Sequence, residues 1–489
     1  MAQEVLNDQL IAKVVHEVLT RLGTAQSANP APSSVVAESG SNLTGGFGVY
    51  SRMEDAIAAA QKGFEKLNEG GFEARKKAIA EIRKLCVAKA QEWGRLEFEE
   101  TKIGRLAHKI DKLAICAELV PGTEFLRRDA FSGDHGLTVI EYAPWGVIGA
   151  VTPVTHSVPT LTGNAINMVA AGNSVVFNTH PNGSKCAAIA IRAYNEAIFK
   201  ATGISDLLCT VEKPTLETFD LMCKSPTVRL LCVTGGPAVV KAAMLSGKRA
   251  VCAGPGNPPV VVDETANLES AAQAIIQGAS FDNNLLCIGE KEVFVVEKVA
   301  DALISALKKN GAVQLTRDQV EKLTQVAFTF PEGQGAGCAH ASVNKKFVGK
   351  DASFLAEAIG LSVPASTLLL FGETNESHAF VQEEQMMPFI PIVRVKDFDA
   401  AVAAAVRAEH GYKHTMVIHS LNIVNMTKMG VAADTTLYIK NGPSMSGLGL
   451  GGEGFLSFSV ATPTGEGVTT PMTFTRSRRC VMVDNLNII

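Results

Sequence analysis

The chain contains no uninterrupted apolar run of 18 residues or more, so no segment reads as a membrane span. It shows no surplus of one charge. Its 45 basic residues against 49 acidic ones leave −4, without the basic field that grips nucleic acid. Its ten cysteines include no Cys-x-x-Cys pair, and no Cys/His group has zinc spacing. No metal site is therefore legible, and the thiols read as reduced, in a cytosolic setting. Also missing is a Gly-x-Gly-x-x-Gly fingerprint after the first strand of the α/β region, which excludes an ordinary Rossmann reading.

What is present is 489 residues, 46% apolar and 19% charged, enough for two or three packed domains. Residues 4–22 place Val5, Leu6, Leu10, Ile11, Val14, Val15, Val18, Leu19 and Leu22 on one helical stripe. The segment is too short and, with Asp8, Lys13, Glu17 and Arg21, too charged for a signal peptide or membrane anchor. Residues 23–46 form a Ser/Ala/Pro/Gly tract that reads as a flexible linker. A helix isolated in this way cannot bury its stripe alone. It either docks back on the body or binds a partner groove, and the linker favours the partner.

From Tyr50 to about Leu126 the pattern is helical, and residues 137–142 alternate as a strand. Residues 143–153 form a strand of small and β-branched residues, a helix runs from about Thr160 to Ala170, and residues 171–177 begin the next strand. Such a βαβ unit implies a parallel sheet, and the pattern repeats through 207–211, 228–234 and 259–263. The fold class is α/β, doubly wound. Glycine turns at 234–240 and 254–259 close strands where ligands of such sheets lie, although a Gly-Gly turn alone is a weak signal. Loops rich in glycine fill 441–467, and the tail from Phe474 to Ile489 alternates as an edge or exchanged strand in need of a partner.

The body is organised around Cys287. A helical stretch, Leu268 to Ser280, precedes it and a β-branched strand, Glu292 to Glu297, follows. The polar turn between them, Phe281-Asp-Asn-Asn, puts the cysteine where function concentrates on a rigid scaffold. Flanked by Leu285, Leu286 and Ile288, the same cysteine taken alone reads as a core thiol.

Seven ordered blocks over some 440 residues carry a resemblance: Pro144-Trp-Gly-Val, Ala171-Gly-Asn-Ser-Val-Val, Val233-Thr-Gly-Gly, Gly256-Asn-Pro-Pro-Val-Val-Val-Asp, Ser280-Phe-Asp-Asn-Asn with Cys287, Met386-Met-Pro and Ala461-Thr-Pro-Thr-Gly-Glu-Gly. From about residue 47 onward the chain resembles the aldehyde dehydrogenase superfamily. It is most similar to the CoA-acylating propionaldehyde and acetaldehyde dehydrogenases of bacterial microcompartments. The resemblance implies two doubly wound domains, one for the cofactor (47–254, with 441–467 returning to it) and one catalytic (255–440). It also implies a small oligomerisation element from 128–143 and 468–489, hence a homodimer or dimer of dimers. Residues 1–22 then resemble an encapsulation peptide that binds shell proteins and takes the enzyme into a microcompartment lumen in the bacterial cytoplasm.

Carried over position by position, Cys287 matches the family nucleophile, which attacks the aldehyde carbonyl to give a thiohemiacetal. Hydride passes to NAD, and coenzyme A resolves the thioacyl enzyme. Gly235 and Gly236 match the pyrophosphate turn, with Val239 on the helix behind it. Glu384 and Pro388 match the Glu-x-x-x-Pro block that holds the nicotinamide ribose. His180 and Pro181 fall at an adenine pocket shared by NAD and CoA. Thr152, Pro153, Asn178 and Gly254 complete the expected cofactor site, with Asn178 standing where many relatives carry a lysine.

Two departures bear on the product. The glutamate that activates water in hydrolytic members is replaced by Cys252, so no carboxylate is poised to make hydroxide and the thioester should wait for the CoA thiol. The oxyanion asparagine is also absent, and Thr155 or His156, with the Cys287 backbone N–H, is expected to donate instead. A hydrolytic dehydrogenase, an acyl-phosphate reductase and an inactive shell component remain as alternatives. The choice between propionaldehyde and acetaldehyde stays open.

Overall fold

The computed structural model describes residues 46–330 and 341–488. The amphipathic segment 1–22, nearly all of the linker and the glycine-rich stretch 331–337 lie outside the described residues.

Two parallel sheets form the body. The first has six strands in the order Val49–Tyr50, Leu208–Val211, Ser174–Thr179, Val147–Thr152, Val228–Thr234 and Arg249–Ala253. Its central strands are buried along almost their whole length, which is why they read as continuous apolar runs rather than alternating ones. Strand order reverses at Val147–Thr152, which pairs with Ser174–Thr179 on one side and Val228–Thr234 on the other. That reversal opens a crevice at the carboxyl ends of the strands. Five helices cover the sheet: Met53–Thr101, Ser157–Ala170, Ser184–Thr202, Leu216–Lys224 and Pro237–Met244. The first kinks at Gly71, whose φ of 63° and ψ of −152° are non-helical.

The second sheet has seven strands, ordered Val313–Gln314, Leu370–Thr374, Phe389–Val395, Glu292–Val296, Pro259–Val262, Thr415–His419 and Leu437–Lys440. A third sheet is antiparallel and built from Asp129–Gly133, Gly136–Pro144 and Thr475–Val483. The tail strand therefore finds its pairing partner inside its own chain, while its outer edge stays exposed. No helix among the described residues is long and apolar enough to cross a membrane.

Three local expectations shift. The helix expected from Thr160 begins at Ser157, because Pro159 is tolerated in a first turn whose N–H groups have no intrahelical acceptor anyway. Arg249–Ala253 forms an edge strand that the pattern did not announce, and Cys252 belongs to it. The strand expected over residues 171–177 begins at Ser174 and runs to Thr179.

Candidate active site

After the helix Leu268–Ser280, the chain bends through Asp282, Asn283 and Asn284, with φ of 48°, 55° and 64°. Asp and Asn are the non-glycine residues that best tolerate this left-handed region. Three in succession still cost on the order of 1 kcal/mol or more each, so the surroundings must hold them. The Asp282 amide donates to His108 Nδ1 at 2.8 Å, and Asp282 Oδ1 accepts from the Arg105 amide at 2.8 Å. Asn283 donates to Gly349 O at 3.0 Å and Asp351 Oδ1 at 2.9 Å, and accepts from Arg105 Nε at 2.8 Å. Asn284 donates to Ala279 O at 2.9 Å and Glu290 O at 2.8 Å. Cys287 follows on a turn thus fixed from several sides.

Behind it lies a buried ionic quartet that joins the two lobes. Lys112 Nζ donates to Asp282 Oδ2 at 2.5 Å, and Lys109 Nζ to Glu97 Oε1 at 3.0 Å. Both lysines also reach the Thr155 carbonyl, at 2.6 Å from Lys109 and 3.4 Å from Lys112. The other oxygen of Glu97 accepts from the Val158 amide at 2.9 Å, at the start of the helix Ser157–Ala170. Burial opposes ionisation of Asp282, but Lys112 and Lys109 win and hold it well below the usual carboxylate range. The Thr155–His156 loop and the Cys287 turn thus hang on the same two ammonium groups. The His156 ring bonds Thr155 Oγ1 at 3.2 Å and leans on Phe458. Burial, with Lys112 and Lys109, pushes its pKa well down, so the ring is neutral, and its Nδ1 has no hydrogen-bond partner.

Around the Cys287 turn the structure gathers Gly256 and His414, with Lys291 and Glu384 near enough to act electrostatically on the thiol. A Cβ at Gly256 would strike the Cys287 carbonyl oxygen and come within 3.0 Å of the His414 ring, so only glycine fits. The Gly256 amide faces Glu384, whose carboxyl is raised by burial. His414 Nδ1 bonds Thr415 Oγ1 at 2.8 Å, while Nε2 is buried without a partner. Burial and Lys291 lower this imidazole to about 4, so it is neutral. The Cys287 thiol is enclosed on most sides yet keeps partial access. Burial, and then Glu384, push it up to about 12. Among the described cysteines only Cys287 and Cys480 are accessible, and Cys480 lies on the exposed tail strand away from any such surroundings.

The expected cofactor residues collect at the carboxyl edge of the first sheet. Thr152 and Thr179 end adjacent strands in register, with buried hydroxyls that have no partner. Pro153 follows Thr152, and His180 caps the turn Pro181–Gly183 by accepting from the Asn182 amide at 3.1 Å. Gly235 and Gly236 close the next strand and open the helix that carries Val239, and a Cβ at either glycine would meet open space. Gly254 packs on Pro463 at the fourth strand end. Asn178 donates to Thr215 O at 3.2 Å and its Oδ1 accepts from Thr218 Oγ1 at 2.6 Å, and the Pro388 carbonyl accepts from the Leu370 amide at 2.9 Å inside the second sheet. Cys252 packs in the core with Val151 and Val233, its thiol raised by burial to about 11. Among the described residues no group of three His, Cys, Asp or Glu side chains could hold a metal ion.

Two parallel-sheet lobes, one with glycine turns at its strand ends and the other carrying Cys287 on a pinned turn, define a doubly wound α/β enzyme. Residues 25–446 match the model of the aldehyde dehydrogenase family, and the chain belongs to that family. It is 44% identical over 485 residues to the acetylating acetaldehyde dehydrogenase of Escherichia coli, covering 99% of this chain and 100% of that one. It is 40% identical over 444 residues to the CoA-propanoylating propanal dehydrogenase of Salmonella typhimurium, covering 91% and 94%. Among solved structures, it is similar to Rhodopseudomonas palustris propionaldehyde dehydrogenase with bound propionyl-CoA, with TM-score 0.87 and 43% identity over 91% of this chain and 97% of that one. A propionaldehyde dehydrogenase from the fucose utilisation microcompartment of Clostridium phytofermentans gives TM-score 0.87 and 44% identity over 90% and 100%.

Proposed function

We propose that the protein oxidises a short aliphatic aldehyde, propionaldehyde or acetaldehyde, to its acyl-CoA with reduction of NAD. The observation that carries this reading is the pinned turn that bears the accessible Cys287; by the sequence match, Cys252 rather than a glutamate takes the position of the water-activating base. The relatives are acetylating and propanoylating dehydrogenases along almost their full lengths. The orphan hydroxyls of Thr152 and Thr179 and the open glycine turn at 235–236 fit a dinucleotide on the first sheet's edge. Bound there, NAD supplies the acceptor for a hydride.

The chain's own residues do the rest. The Cys287 thiolate adds to the aldehyde carbonyl, and the developing oxyanion takes hydrogen bonds from the Cys287 amide and from Thr155 or His156. Once hydride has left, the acyl group stays on Cys287 as a thioester. The CoA thiol then attacks that carbonyl, its proton passing to the free Nε2 of neutral His414 while Cys287 departs as thiolate. NADH formation with aldehyde and NAD, measured with and without CoA, tests the reading. Strict CoA dependence with acyl-CoA as product supports it, and equal turnover giving the free acid refutes it.

The amphipathic stripe of residues 1–22, together with a 44%-identical microcompartment relative, supports a role for that segment in docking on shell proteins within a microcompartment lumen. Fusing residues 1–22 to a fluorescent reporter tests this, because a diffuse signal in cells that form shells would count against it. The open outer edge of Thr475–Val483 supports a homodimer or dimer of dimers through the third sheet, and light scattering distinguishes these from a monomer.

A further inference from the structure

Lys291 is fully buried. Its ammonium donates to the Asn284 carbonyl at 2.9 Å, to Asn284 Oδ1 and to the Leu286 carbonyl at 3.3 Å, on the inner side of the turn that carries Cys287. All three acceptors are neutral. Among the described residues no carboxylate lies within ion-pair distance of it, whereas the other two buried lysines, Lys109 and Lys112, have Glu97 and Asp282. An ammonium taken out of water without an anion is costly and burial lowers it, yet three acceptors around the nitrogen call for all three protons of the charged form.

The groups that face Lys291 are Glu384, Cys287, Glu292, Glu290 and the His414 ring. Glu290 is engaged by the Ser444 amide and hydroxyl, both at 2.8 Å. Glu292 is buried with neither oxygen partnered, and burial holds it protonated. His414 is neutral. Cys287 and Glu384 remain to answer the charge.

We propose that Lys291 is a positioning residue of the reaction: its ammonium, pinned by the carbonyls of the nucleophile turn, is the fixed positive charge against which the Cys287 thiolate forms. Thiol and charge sit on one turn, so they keep their relation when substrates enter. Glu384 works in the opposite sense, since a negative carboxylate there disfavours the thiolate. The proposal rests on Cys287 being the nucleophile.

The test uses the full-length enzyme without aldehyde or cofactor. Iodoacetamide labelling of Cys287 is followed by peptide mass spectrometry from about pH 7 to 9 in wild type, Lys291→Met, Lys291→Arg and Glu384→Gln. The methionine variant should label at least about tenfold more slowly at every pH with an unchanged slope. Arginine should restore most of the rate, and Glu384→Gln should exceed wild type. Labelling of the methionine variant within about threefold of wild type, or an arginine variant as slow as methionine, overturns the proposal. Should the methionine variant not fold, Glu384→Gln decides, since no acceleration there overturns the opposed-charge arrangement. Retained turnover in Cys287→Ala would instead refute the nucleophile reading, and that outcome is measured separately.

Discussion

The carbonyl oxygen of Cys287 occupies the space that any side chain at position 256 would need, and the His414 ring closes the other side. Gly256→Ala should therefore leave the fold intact yet displace the nucleophile turn. Because a shift of about 1 Å costs on the order of 100-fold, kcat should fall by roughly that factor with little change in thermal midpoint. A variant with near-normal kcat would show that the turn can yield.

Asp282 anchors the turn to Lys112 and, at 3.8 Å, to Lys109. Asp282→Asn leaves two buried ammonium groups with Glu97 alone and should cost about 3–5 kcal/mol in chemical denaturation. The folded carboxyl is depressed, so its contribution is complete above the unfolded value of about 3.9 and is lost as pH falls through the lower folded value. The gap between wild type and variant should accordingly narrow in acid.

The free Nε2 of His414 predicts a defect in the second half-reaction. His414→Gln should slow CoA-dependent turnover by about 10²–10⁴-fold while the first NADH is still released. Mass spectrometry should then find acylated Cys287 accumulating. Loss of both phases together would assign His414 to the first step instead.

The raised thiol sets the pH dependence of the free enzyme. Below about 12 the thiolate fraction rises about tenfold per unit. The logarithm of the Cys287 labelling rate should climb with unit slope across the neutral range and show no plateau there. A plateau near neutrality would mean that the unliganded site already holds a thiolate.

Much of this was legible in the sequence where physics is local. The central strands announce themselves because strands buried on both faces must be apolar throughout. The Asp-Asn-Asn turn before Cys287 was visible as a polar break between a helix and a strand. Its left-handed backbone follows from residue types that accept that conformation. The edge strand Arg249–Ala253 escaped because it is short and opens on a charge. Lys109, Lys112 and Glu97 escaped for a deeper reason. Charged residues on Lys- and Glu-rich helices read as a solvated face, and the partner that buries them, Asp282, is 170 residues from Lys112. His414 and Lys291 carry no local mark either, since only the tertiary fold leaves one ring nitrogen without a partner and the ammonium without a counter-ion. Family resemblance points to Cys287 and Glu384, but not to the buried charges around them.

The ionic quartet has a consequence for how the molecule comes into being. Glu97, Lys109 and Lys112 come from the N-terminal lobe and Asp282 from the other, so the turn bearing the thiol cannot lock until the lobes have met. A half-folded chain would present an ordinary, solvent-exposed cysteine that reacts without discrimination. Docking encloses it on most sides. The Cys287 turn is thus completed only in the docked molecule, and the accessibility of one sulfur atom reports on that docking.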